Sequence, residues 1–222
     1  MINKCLIFGL LLFLVNPVGF GQSEEYPFSA EIRQFRINDS INPPVQHAIL
    51  FAGSSSFTLW KDVQDYFPGF TIINRGFGGS TLQDLIFYAE MVIFPYDPKQ
   101  IVIYCGENDL ASSDTVTSEM VLERFKTLFN LIRSRLPEVR ITYVSMKPSP
   151  SRWHLSGKMI NGNNSIREFL AKQQNTSFVN IWDDMLNENK QPDSTIFLED
   201  MLHMNATGYR IWQPKIEQEL IH

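Results

Sequence analysis

Five short apolar runs, at 48–52, 71–74, 101–104, 141–145 and 178–181, constrain the fold of this chain more than any other feature. They carry Ile, Val, Leu, Phe and Tyr almost without interruption, not in the alternation of a sheet with one wet face. Strands of that kind are covered on both sides, as in a parallel sheet. Stretches with apolar residues at three- and four-residue spacing lie between or after them, at 81–92, 118–136, 164–173 and 206–220, and Pro137 closes the second. Strand and helix alternate, which predicts a three-layer α/β/α sandwich around a central parallel five-stranded sheet. At 222 residues and 44% hydrophobic, the chain is long enough for one sizeable core.

The first residues read differently. Lys4 gives a positive start, an apolar run follows from Cys5 to Val15, and in Gly19-Phe20-Gly21 the two glycines supply small residues near a cleavage point. This is the pattern of a secretory signal over 1–21, and the run is shorter than the roughly 20 apolar residues a membrane span needs. The expectation is export to the periplasm or beyond, with no stable membrane span after cleavage. Of the two cysteines, Cys105 alone would then remain, so no internal disulfide is expected. Cys105 itself lies in an apolar strand pattern and reads as a small buried hydrophobe. Residues 22–44 are polar and proline-bearing, with scattered Phe28, Ile32 and Phe35, and read as an N-terminal arm packing across the body formed by 45–222. The net charge of -5 and the lack of a Lys/Arg cluster give no footprint for nucleic acid.

In a parallel α/β sheet ligands bind beyond the carboxyl ends of the strands, and the unusual residues collect there. The first strand ends in Gly53-Ser54-Ser55-Ser56, the second in Arg75-Gly76-Phe77-Gly78-Gly79-Ser80-Thr81, and the third in Gly106-Glu107-Asn108-Asp109. Asp200-Met201-Leu202-His203 precedes the last helix. Singly, each has a plain structural reading: a helix cap, a tight turn, an Asx turn, a surface histidine. Together, a hydroxyl, backbone donors, an amide and a carboxylate–imidazole pair are the parts that acyl transfer requires.

The four blocks, in this order and with Gly208-Tyr209 following the last, resemble the SGNH or GDSL-type esterase superfamily. The wording is most similar to secreted bacterial proteins akin to platelet-activating-factor acetylhydrolase. The resemblance runs from about His47 to the C-terminus and implies a flavodoxin-like fold and carboxylic ester hydrolysis. Alignment of Gly53 and Trp60 with the family pattern puts the nucleophile at Ser55, with His203 as base and Asp200 orienting it. The oxyanion donors it implies are the N–H groups of Ser55 and Gly79 and the side-chain amide of Asn108. Ser54 stands where the family usually has aspartate, which bears on how the turn is held more than on catalysis.

Other chemistries fit less well. Thr81 occupies the place of the third glycine in a dinucleotide fingerprint, and Phe57 that of the second glycine in a nucleophile elbow. His47, His154, His203 and His222 are too dispersed for a zinc motif, so neither metal nor cofactor is expected. Substrate contacts are expected from the loop at 149–160, with Trp153 and His154, and from Trp60, Met201 and Leu202, although Trp60 is equally placed for the core. The partner is thus a small-molecule, glycan or lipid ester, with short acyl groups such as acetyl on carbohydrate preferred over lysophospholipid. A non-catalytic carbohydrate- or lipid-binding module on the same fold is the alternative. Oligomeric state is not legible in the sequence.

Overall fold

The computed structural model describes residues 26–222. The leader read at 1–21, with Lys4 and Cys5, lies outside them. The apolar runs form β1 (Ile49–Gly53), β2 (Ile72–Gly76), β3 (Gln100–Tyr104), β4 (Arg140–Val144) and β5 (Thr176–Val179). All pair in parallel in the order β2-β1-β3-β4-β5, the flavodoxin-like order. β5 stops short of the expected Ile181, whose N–H goes instead to Ser145 Oγ at 3.1 Å. Ile181 is apolar because it is buried beneath the sheet, not because it pairs in it.

The helices are α1 (Ser29–Ile41), α2 (Ser55–Thr58), α3 (Val63–Tyr66), α4 (Leu82–Phe87), α5 (Ala89–Val92), α6 (Glu107–Ser112), α7 (Ser118–Arg135), α8 (Ser156–Leu170) and α9 (Ala206–Glu217). Alternate strand residues enter separate cores. Leu50, Ala52, Ile101, Ile103, Ile141 and Tyr143 meet Leu85 of α4, Phe125 and Ile132 of α7 and Ile166 of α8. Ile49, Phe51, Val102, Tyr104 and Val144 meet Phe57 of α2, Val63 of α3 and Trp212 and Ile216 of α9. Period-two side-chain direction therefore turns five runs of continuous apolarity into two cores with the sheet between them.

Three elements depart from the sequence reading. The polar stretch read as an arm contains α1, whose Ile32 is buried and whose Phe35, with Phe28 just before it, packs on the first core. Its N-cap is Phe28 in the left-handed region (φ 69°) without a side-chain cap bond, so the usual polar start signal is missing. The helix expected at 81–92 is interrupted at Tyr88, whose hydroxyl donates to Pro27 O at 2.8 Å. The helix expected from 164 begins at Ser156, and the weak helix formers that hid its first turns serve packing. A Cβ on Gly162 would lie 2.8 Å from Met146 Cε, and Asn163 satisfies both backbone groups of Met146 at 2.8 and 2.9 Å.

Candidate active site

β1 ends at Gly53 (φ 149°), where a Cβ would lie 1.9 Å from Tyr104 O. Only glycine lets the chain turn this close to β3. Ser54 N–H then donates to Tyr104 O at 3.0 Å, and Ser55 opens α2. As the first helical residue, Ser55 has an N–H with no acceptor within the helix. Ser54 makes no side-chain cap bond, so the turn is held from elsewhere. Ser80 Oγ donates to Gly53 O at 3.2 Å, and Tyr209 Oη donates to Ser56 O at 2.8 Å. Ser54 and Ser56 are buried while Ser55 is partly exposed. Of the three adjacent hydroxyls, Ser55 Oγ meets His203 Nε2, at 2.9 Å.

His203 and Asp200 come from one tight loop. His203 Nδ1 lies 2.6 Å from Asp200 Oδ2, while Asp200 Oδ1 accepts the N–H groups of Leu202 and His203 at 2.9 Å each. Burial pushes the Asp200 carboxyl up, but the hydrogen bonds from His203 and Leu202 outweigh it and bring the pKa down to about 2. Asp200 is therefore an ionised acceptor at neutral pH. Met201 adopts φ 54°, unusual for a side-chain-bearing residue. Its N–H donates to Leu198 O at 2.9 Å and its carbonyl accepts Ser151 N–H at 3.1 Å, which ties this loop to the one after β4.

The loops after β2 and β3 interlock beside Ser55. Phe77 N–H donates to Gly53 O at 3.0 Å, and Gly79 stands exposed at φ 80°. Asn108, in the first turn of α6, donates from Nδ2 to Ser80 O at 3.0 Å. A primary amide has two N–H donors, so one remains for a ligand. Asp109 makes a longer-range clamp than an Asx turn: Oδ2 accepts Leu82 N–H at 2.9 Å and Oδ1 accepts Arg124 Nη1 at 2.8 Å, fixing α6 to α4 and α7.

A family model described as GDSL-like lipase/acylhydrolase matches residues 50–211, nearly three-quarters of the chain. The chain belongs to the GDSL-like lipase/acylhydrolase family. It is thereby an ester hydrolase of the GDSL/SGNH class, and the four blocks and the sheet order are those expected of it. Solved structures sharing the fold include a candidate platelet activating factor of Streptococcus pneumonia, 20% identical with a TM-score of 0.75 over 86% of this chain and 92% of that one. A GDSL-like lipase of Bacteroides thetaiotaomicron is 21% identical, with a TM-score of 0.69 over 85% and 96%. A mutant of an acetyl-xylooligosaccharide esterase from Geobacillus Stearmophilus is 16% identical, with a TM-score of 0.62 over 79% and 94%. No curated protein sequence matches the chain.

For this GDSL-like chain the substrate-contact expectations divide. Trp60 is corrected: it is 0% exposed, stacked on Tyr209 with centroids 4.6 Å apart in the second core, and walls no cleft. Trp153 is half-buried and stacks on Trp182 with centroids 6.1 Å apart. His154 and Leu202 line a cleft of about 400 Å³ that also takes in Asp200, Ser151, Arg152 and Asp114. Met201 is 39% exposed beside it. Burial pushes the Cys105 thiol well up, as does the Asp109 carboxylate, so it is no nucleophile. Among the described residues, no cluster of His, Cys, Asp and Glu is built to hold a metal, and no helix is long and apolar enough to cross a membrane.

Sequence reasoning missed one group. Arg152 Nη1 donates to both Glu107 Oε1 and Asn108 Oδ1 at 2.9 Å, and Lys147 Nζ donates to Glu107 Oε2 at 2.9 Å. Tyr104 Oη donates to the same carboxylate oxygen of Glu107. Burial pushes the Glu107 carboxyl up, but Lys147 and Arg152 more than compensate and hold it below the usual carboxylate range. The one local trace was Lys147 shortly after β4, between Met146 and Pro148, since a lysine buried at that place needs a charged partner.

Proposed function

We propose that the protein hydrolyses carboxylic esters through an acyl-enzyme on Ser55, and that its substrates carry short acyl groups on a hydroxylated, carbohydrate-like alcohol. The observation that carries the mechanism is the continuous chain Ser55 Oγ to His203 Nε2 at 2.9 Å and His203 Nδ1 to Asp200 Oδ2 at 2.6 Å. Neutral His203 takes the hydroxyl proton at Nε2 as Oγ bonds to the ester carbon, while Asp200 holds Nδ1–H and stabilises the imidazolium. The carbonyl oxygen gains negative charge, which the N–H groups of Ser55 and Gly79 and the free N–H of Asn108 receive. The tetrahedral centre collapses, the alcohol leaves with the proton from His203, and water activated by the same imidazole releases the acid.

The short-acyl preference rests on the cleft beside Asp200, where Ser151, Arg152, His154 and Asp114 are interspersed with Leu110, Ala111, Leu155 and Leu202. Such a mixed lining suits hydroxyl groups better than a long acyl chain. Export through the leader at 1–21 belongs to the same reading, since it would bring the enzyme to extracellular glycans. Two measurements test it. A fluorophosphonate probe is expected to label the protein and to fail on Ser55→Ala, while Ser54→Ala and Ser56→Ala still react. Persistent labelling of Ser55→Ala would sink the mechanism. Hydrolysis of p-nitrophenyl esters from acetyl to palmitoyl is expected to be fastest at the short end, and a maximum at eight carbons or longer would overturn the substrate reading.

A further inference from the structure

Glu107 and Lys147 are 3% and 2% exposed, and their hydrogen bonds go to each other, Tyr104 and Arg152, not to Ser55, His203 or Asp200. An ion pair taken this far out of water is a poor stability device, because desolvation consumes most of its attraction and apolar side chains of similar volume would serve as well. The pair does have an outlet toward the reaction centre. Glu107 Oε1 holds Arg152 Nη1 at 2.9 Å, and the same nitrogen reaches Asn108 Oδ1 at 2.9 Å. Lys147 meets one oxygen of the Glu107 carboxylate and Arg152 the other, so Arg152 is the cation that faces Asn108.

We propose that Arg152, held by the buried Glu107–Lys147 pair, is a positioning residue that locks and polarises the Asn108 amide for its oxyanion. This rests on the oxyanion role proposed above for Asn108. A guanidinium N–H on Oδ1 fixes which end of the amide is which, since a flipped amide would set its NH2 against the guanidinium donors. With Oδ1 held by Arg152 and one Nδ2–H held by Ser80 O, the second Nδ2–H has a single direction left. The cation also draws electron density through the amide, and hydrogen bonds in such a chain strengthen one another, so Nδ2–H becomes the better donor. Preorganisation of this kind acts on kcat, because the charge it meets exists only in the transition state.

Arg152 also lines the cleft, so it competes with a role in binding substrate. The test is a double-mutant cycle on the full chain with p-nitrophenyl acetate. Arg152→Ala is expected to lower kcat about 10- to 100-fold with KM held within about twofold, and Asn108→Ala to lower it about 10²- to 10³-fold. The double variant is expected to be no slower than Asn108→Ala, because Arg152 has nothing left to act on. Multiplicative losses, or a raised KM with unchanged kcat, would overturn the proposal. If Arg152→Ala fails to fold, Arg152→Lys keeps a cation against Glu107 while shortening the reach to Asn108, and its cycle carries the same expectation. An unchanged kcat in Asn108→Ala would instead remove the oxyanion role itself, which distinguishes the two failures.

Discussion

Asp200 and His203 are three residues apart, and a single turn provides most of what a general base needs. Asp200 Oδ1 is spent on two backbone N–H groups and Oδ2 on the imidazole, so the carboxylate can neither rotate away nor present its other edge. Its pKa is depressed to about 2 from an ordinary value of about 3.9. The ionised form is thus fully present above about pH 4 and lost only as pH falls through about 2. Acid loss of activity between pH 7 and 4 is therefore not protonation of Asp200. Asp200→Asn keeps the backbone acceptor but replaces the anion facing Nδ1 with a neutral amide. The expected result is a kcat lower by about 10² to 10⁴ with an unchanged far-UV circular dichroism spectrum. Steady-state kinetics that showed only a raised KM would remove Asp200 from the base.

Among the elements, α1 lies outside the residues that the family model matches and yet reaches the second block. Glu31 Oε1 accepts Gly78 N–H at 3.3 Å, and Phe28 meets Phe77 edge-on with centroids 5.4 Å apart. At the other end Asp39 pairs with Arg75 and accepts Tyr96 Oη at 2.7 Å, while the Arg75 guanidinium covers Phe35 at 5.1 Å. Asp39→Ala leaves the buried Tyr96 hydroxyl and Arg75 Nη2 without this acceptor, although Arg75 still donates to Tyr96 Oη and Asn74 O, so a loss of roughly 1–3 kcal/mol is expected in urea unfolding. A change under 0.5 kcal/mol would mean that α1 is held by its apolar face alone. The same contacts explain why this helix was not legible. Its polar contacts go to Arg75 and Tyr96, 36 and 57 positions from Asp39 in sequence, while its own Asn38, Asp39 and Ser40 favour a loop. The spacing of Phe28, Ile32 and Phe35 was the faint local trace. The strands were legible because burial on both faces is written into each of them residue by residue. Ser55 was picked from its neighbours by aligning Gly53 and Trp60 with the family pattern, because what separates the three hydroxyls in the fold, the exposure of Ser55 and its contact with His203, is not written in the local residues.

At the scale of the whole molecule, two apolar cores flank a sheet whose carboxyl end carries the buried charges. Fully burying a side chain such as Phe57 or Trp212 is worth about 1.5–3 kcal/mol, and many such residues contribute, so the fold tolerates one costly ionic cluster at the site. That cluster contributes to the response to acid. Lys147 and Arg152 hold the Glu107 carboxyl below its ordinary value, so the stabilisation it gives is complete above about pH 4.3 and disappears as pH falls through the lower value in the fold. Glu107→Gln removes the proton-binding site and leaves Lys147 buried opposite a neutral amide, a loss of about 3 kcal/mol or more at pH 7. Thermal unfolding of both proteins from pH 7 to pH 3 then has a definite expected shape. The wild type starts higher and loses Tm more steeply in acid, because protonating Glu107 does to it what the substitution has already done to the variant, and the two curves draw together. Curves that stay parallel across that range would place the acid sensitivity elsewhere and leave the Glu107–Lys147 pair neutral in stability.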